Sequence, residues 1–117
     1  MIRIKRIYEE PNASDGYRML IDRLWPRGMR KDAAKLDEWN KDIAPSTALR
    51  KWFGHQPERF EEFILRYREE LILKIDAVQR LKKLGEDGEL TLLYAAKDEK
   101  MNQAAVLLDI IDNLNTT

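Results

Sequence analysis

A small, mostly parallel β-sheet covered by helices is the α/β arrangement this sequence predicts, because short apolar runs bounded by turn formers alternate with amphipathic stretches along its 117 residues. Two runs set the sheet, Tyr17-Arg18-Met19-Leu20-Ile21 and Leu90-Thr91-Leu92-Leu93-Tyr94, each with the consecutive apolar residues of a strand covered on both faces. Apolar residues at three- and four-residue steps, from Phe60 through Phe63, Ile64, Tyr67, Leu71, Ile75 and Val78 to Leu81, supply the helical cover. Strands separated by helices require crossover connections, and so parallel pairing. The length suits one three-layer-like domain over residues 1–117, which buries roughly two-thirds of its unfolded surface and needs no staples.

The first element is a strand near 2–8, where Ile2 and Ile4 alternate with Arg3 and Lys5, a half-polar pattern that suits an edge. Turn formers gather at Pro11-Asn12-Ala13-Ser14-Asp15-Gly16 before the central strand 17–21. Pro26 and Gly28 end that strand, residues 29–36 have room only for a turn or short helix, and a weaker strand is expected near 37–43. Ala44-Pro45-Ser46 reads as a helix start, with Leu49, Trp52 and Phe53 as its apolar face and Gly54 as its end. Pro57 suits the first turn of a longer helix whose early Glu58, Glu61 and Glu62 match the positive end of the dipole. Unbroken to Leu84, that helix would reach about 40 Å at about 1.5 Å per residue, too long for this domain, so a break is expected at 72–76. Gly85-Glu86-Asp87-Gly88 reads as a turn, 90–94 as a buried strand, and 101–114 as a last helix burying Ala104, Val106, Leu107, Ile110, Ile111 and Leu114. A short polar tail, 115–117, follows. Trp39 and Trp52 read as core residues, since large aromatics usually are; Trp25 is open between core and ligand stacking.

Composition removes several chemistries. With no cysteine there is no disulfide framework, no thiolate metal site and no thiol nucleophile, and the single histidine, His55, rules out multi-histidine metal centres. No stretch has the roughly 18 uninterrupted apolar residues of a membrane span. The N-terminus lacks the apolar region of an export signal, so a cytoplasmic location is expected. Formal net charge is zero, which gives no general pull toward nucleic acid or anionic lipid, although eight basic residues face only four acidic ones through Lys31.

Residues 20–28, Leu-Ile-Asp-Arg-Leu-Trp-Pro-Arg-Gly, run from a buried strand into an acid, two arginines and an indole, where packing alone would end in small turn formers. In open α/β sheets ligands bind beyond the carboxyl ends of strands, so 22–28, 43–50 and 94–102 are expected to share one rim. Arg23, Arg27, Arg50 and Lys97 are the candidate anion ligands, because guanidinium offers paired donors to two anionic oxygens; the competing reading pairs the arginines with Asp22, Asp42 or Asp98. Trp25 and Asn102 complete the candidate binding set. Asp22 and Asp98 are the candidate catalytic groups, as general base or as Mg²⁺ holders beside a phosphate, although capping of the last helix is the favoured reading of Asp98. Ala95-Ala96-Lys97-Asp98 lacks the glycines of a nucleotide-binding fingerprint, so no cofactor is named by it. His55 reads as a surface histidine in a loop, and Ser46 and Thr47 as helix-start hydroxyls rather than nucleophiles.

Taken together, Asp15-Gly16-Tyr17-Arg18, Asp22-Arg23-Leu24-Trp25-Pro26-Arg27-Gly28, Trp39, Ala44-Pro45-Ser46, Leu49-Arg50, Trp52-Phe53, Phe63, Tyr67, Glu70-Leu71, residues 90–98 and Asn102 resemble the YeaO-like family of small bacterial proteins, in motif order over nearly the whole chain. That family is a domain-of-unknown-function group with no established activity, so the resemblance implies a fold and a place for the site rather than a reaction. More distant relatives carry a Cys-His-Arg stretch after the last strand; here 97–102 stands in that place without Cys or His, which implies no thiol chemistry.

Two functions follow from the residues. The first is a cleft for a phosphate-bearing or nucleotide-type small molecule, in which the four cations hold the anion and Asp22 or Asp98 assists a metal or a proton, with or without turnover. The second is a non-enzymatic module that binds nucleic acid or a protein through its basic first third. Nothing in the sequence indicates an oligomeric state.

Overall fold

The computed structural model describes residues 1–114; the polar tail 115–117 lies outside them. Four strands, β1 (Ile2–Arg6), β2 (Tyr17–Leu20), β3 (Glu38–Trp39) and β4 (Leu90–Tyr94), form one sheet in the order β1-β4-β2-β3. Every pairing is parallel. The expected edge and central strands take those places, because the half-polar β1 leaves one side open while β4 is buried at all five residues between two neighbours. The strand expected at 37–43 shrinks to two residues, since Asn40 turns away and its side chain accepts from the Ile43 N–H at 3.1 Å.

Period-two alternation sorts the sheet side chains onto two unequal layers. Ile2, Ile4, Met19, Leu90, Leu92 and Tyr94 meet the main core with α2 (Thr47–Phe53), α3 (Phe60–Ile72), α4 (Ile75–Asp87) and α5 (Gln103–Asp112). Ile7, Leu20 and Leu93 face a thinner layer built from Ala34 of α1 (Lys31–Ala34) with Trp25, Met29, Leu36 and Trp39 against it. Under this second layer lies a buried polar knot. Arg18 is 4% exposed and donates to the Asp15 carboxylate and to the Ala34 carbonyl at 2.8 Å, and Lys5 reaches Asp15 at 3.1 Å.

Helix boundaries have local causes. Ser46 caps α2 by accepting from the Leu49 N–H at 3.1 Å, and Gly54 ends it at φ 54°, where a side chain would be strained. Pro57 opens a 3₁₀ turn, Pro57–Arg59, ahead of α3, and the break expected near 72–76 falls at Leu73 and Lys74. Asn102 caps α5 by accepting from the Ala105 N–H at 2.9 Å.

Two expectations are corrected. Residues 85–87 are helical, not a turn: α4 continues to Asp87, and Gly85 packs so close to β1 that a side chain there would collide with Ile2. Trp52 and Trp39 are half-buried rather than core. Trp52 is covered by the guanidinium of Arg66 at 4.3 Å and of Arg59 at 5.3 Å, whereas Trp39 lies under Lys41 at 4.1 Å.

Candidate functional site

The carboxyl ends of β1, β2 and β4 open on one side of the sheet, and beyond them lies a cleft of ≈ 680 Å³. Its walls come from the chain after β2, the start of α2, the turn after β4 and the first turn of α5. The three distant segments expected at one rim therefore do meet. Of the candidate residues, Asp22, Arg23, Trp25, Arg27, Arg50, Lys97 and Asp98 line this cleft. Asn102 does not: its Oδ1 caps α5 and its Nδ2 donates to the Asp98 carbonyl at 2.8 Å, so both ends of the amide are spent on the turn.

Arg23 is held rather than free. Its Nε donates to the Pro45 carbonyl at 3.0 Å and its Nη2 to the Ala44 carbonyl at 3.2 Å, which ties the β2 end to the start of α2. Arg27, Arg50 and Lys97 are exposed, and among the described residues none of them forms an ion pair, nor does Arg23. The paired-arginine reading is thus not what the structure holds. Trp25 donates from Nε1 to the Met29 carbonyl at 2.7 Å and meets Trp39 edge-on at 5.2 Å, so one side of the indole packs while another lines the cleft.

Asp22 is half-buried in the wall of the cleft. One carboxylate oxygen accepts from the Ala95 N–H at 2.9 Å and the other from the Gln103 side-chain amide, while its main-chain carbonyl accepts from Trp39 Nε1 at 2.7 Å. Burial pushes its carboxyl up from 3.8 to about 6, against the lowering pull of the Ala95 N–H, the Arg50 charge and Gln103. Asp98 is the opposite case. It lies at the exposed lip, and the N–H groups of Met101 and Lys100 hold it below the ordinary carboxylate range. It closes its own turn and leaves the capping of α5 to Asn102.

Sequence reasoning missed Phe53 and Phe63 as parts of the site. With Leu24, Pro26, Pro45, Ala95 and Ala96, which lie in the segments expected at the rim, they give the cleft mostly hydrocarbon walls, while Gln103, bonded to Asp22, and His55 and Tyr8 add polar atoms. Gln103 stands in the first turn of the helix that follows Lys97-Asp98, a place that could have marked it. Phe53 and Phe63 stack at 4.5 Å and read from sequence only as core. The basic excess of the first third also dissolves locally: Arg3 pairs with Glu89, Lys5 with Asp15, Arg30 with Asp32, Arg6 donates to the carbonyls of Ala95 and Ala96, and Arg18 is buried.

Residues 1–116 match the family described as the inactive DUF488-N3 subclade, DUF488-N3i. The chain is 44% identical over 113 residues to the uncharacterized protein YeaO of Escherichia coli (strain K12), covering 97% of this chain and 98% of that one. It is also 43% identical over 111 residues to an uncharacterized protein of Mycobacterium tuberculosis (strain H37Rv), covering 95% of this chain and 93% of that one. The resemblance to YeaO-like proteins therefore holds over almost the full length. No solved structure gives a significant match. Among the described residues no helix is long and apolar enough to cross a membrane.

Proposed function

Because the chain belongs to the DUF488-N3i family, the inactive DUF488-N3 subclade, we propose that its cleft binds a small organic anion and does not convert it. The observation that carries this reading is the company of Arg27, Arg50 and Lys97, exposed and without acid partners among the described residues, around a ≈ 680 Å³ cleft with apolar walls. Cations left unpaired beside hydrocarbon are arranged for a ligand that brings its own negative charge and its own apolar body. Arg23, locked onto two carbonyls, adds fixed positive charge without needing to move.

Binding without turnover agrees with the state of Asp98, whose two N–H donors keep it ionised and a poor proton carrier. Asp22 spends one lone pair of each oxygen on Ala95 and Gln103 and is positioned as an acceptor. A phosphomonoester on a carbon skeleton is the ligand class, since a bare ion would leave most of the volume unfilled.

The test is calorimetric titration with ribose 5-phosphate in low salt. A saturable heat is expected, with Arg50→Ala and Arg27→Ala each weakening it about tenfold, the scale of one charge-assisted hydrogen bond. No saturation at millimolar ligand, or wild-type affinity retained by both variants, overturns the reading.

A further inference from the structure

Resting on the reading of the cleft as an anion site, we infer that its ligand is a mononucleotide whose base carries an exocyclic amino group, adenine or cytosine, read by the Gln103 amide that Asp22 holds in place. The exposed cations Arg27, Arg50 and Lys97 stand at the mouth of the cleft, and the half-buried Asp22–Gln103 pair lines it together with the buried Phe53, Phe63 and Pro45. A ligand that satisfies all three kinds of wall has a negative group, an apolar or flat body, and hydrogen-bonding atoms on that body.

The Asp22–Gln103 pair decides what those atoms are. Asp22 is an acceptor that receives an N–H from Gln103, and this fixes the Gln103 amide with its NH₂ toward the carboxylate. Gln103 then has one N–H and its carbonyl oxygen left, a donor beside an acceptor, and among the described residues neither has a protein partner. Such an amide edge complements a ring nitrogen next to an amino group, as in adenine and cytosine. Asp22, on the nitrogen side of the Gln103 amide, holds that edge in register and leaves the base to Gln103. A base with a carbonyl in place of the amine would set oxygen against the Gln103 carbonyl oxygen, and a ring N–H against its N–H, and be rejected. Phe53 and Pro45 supply the apolar surfaces that a ring would lie against.

The size of the charge also argues for a single nucleotide over a polymer. Four cations on one concave site, in a chain of zero formal net charge whose other N-terminal basic groups are mostly paired or buried, offer no track for a phosphate backbone.

The experiment compares adenosine 5′-monophosphate, purine riboside 5′-monophosphate, which lacks only the amine, and ribose 5-phosphate, by calorimetry at one salt concentration. The expected order is tighter binding of the adenine nucleotide by about tenfold over the riboside analogue and more over the sugar phosphate. Gln103→Leu and Asp22→Asn should each erase the preference for the amine, read as equal affinities for adenosine 5′-monophosphate and purine riboside 5′-monophosphate; circular dichroism confirms that both variants are folded. Equal affinities for the adenine nucleotide and ribose 5-phosphate overturn the inference and leave the anion site standing. If none of the three binds, the anion site itself fails. Tighter binding of a 12-nucleotide single strand, with a salt dependence of more than about two released ions, overturns the single-nucleotide class.

Discussion

Asp22 and Gln103 are separated by 81 positions in the chain and share a hydrogen bond in the cleft, where the chain leaving β2 meets the first turn of α5. That contact joins distant parts of the fold at a carboxylate that burial pushes above its ordinary value.

The Asp22 carboxyl should therefore make the protein less stable as pH rises. Its folded value, about 6, lies above its ordinary 3.8, so between these values the unfolded chain releases the proton first and the folded state is penalised. The contribution is largest below about 3.8 and is lost by about pH 6, worth about 3 kcal/mol over the window. Asn fits the same place, accepting from Ala95 and donating to a rotated Gln103. Urea unfolding should show Asp22→Asn more stable than the wild type at pH 7.5 by about 1–3 kcal/mol, with the difference gone at pH 4.

Asp15 should respond in the opposite sense. Burial raises its carboxyl, but the Asn12 N–H together with Lys5 and Arg18 outweighs that and holds it below its ordinary value. Its stabilisation is complete above that ordinary value and disappears as pH falls through the lowered one. Asp15→Ala leaves Arg18 buried without its anion, which should cost about 3–5 kcal/mol at pH 7 and shrink at low pH. Denaturant midpoints at pH 7 and pH 3 measure both effects.

Gly85→Ala reverses the usual helix rule. In an exposed helix interior alanine gains about 1 kcal/mol over glycine, yet here the added methyl meets the Ile2 side chain. A loss of about 1–3 kcal/mol is expected, recovered in part when Ile2→Ala is combined with it. A double-mutant cycle on unfolding free energies measures the coupling, and additivity within about 0.5 kcal/mol would rule the contact out as the cause.

Gly85 also shows where sequence reading stops. Local chemistry announces elements whose causes are local: Ser46 and Gly54 bracket α2, and the three-residue run Met19-Leu20-Ile21 marks a strand covered on both sides. A glycine inside a helix that exists only to let a distant strand approach looks the same as a glycine in a turn. The site divides along the same line. Arg27 and Lys97 stand out because charge after a strand has no packing role, and Arg50 because it stands on a helix expected to start at the same rim, whereas Phe53 and Phe63 serve the core and the cleft at once and read only as core. Asn102 was legible as a polar group near the right strand end, but whether an amide faces a ligand or a helix terminus depends on the turn geometry.

The last expectation links the core to the cleft through Glu70. Its two carboxylate oxygens take the Ser46 N–H at 2.8 Å and the Ser46 hydroxyl at 2.6 Å, while the same hydroxyl oxygen accepts from the Leu49 N–H. The start of α2 is thereby pinned to α3, and Arg50 sits one turn along α2 with its N–H bonded to the Ser46 carbonyl at 2.9 Å. Glu70→Ala and Ser46→Ala should each cost about 1–2 kcal/mol, and the double variant little more than either, because both break one network. The functional consequence is selective. Loosening the start of α2 moves Arg50, and to a lesser degree the Ala44 and Pro45 carbonyls that hold Arg23, but neither Lys97 nor Asp22, so Glu70→Ala should weaken ribose 5-phosphate binding several-fold in the Arg50 background and clearly less once Arg50 is alanine. Calorimetry on the four proteins of that cycle measures it, and an equal loss in both backgrounds would place the effect of Glu70 elsewhere than on Arg50.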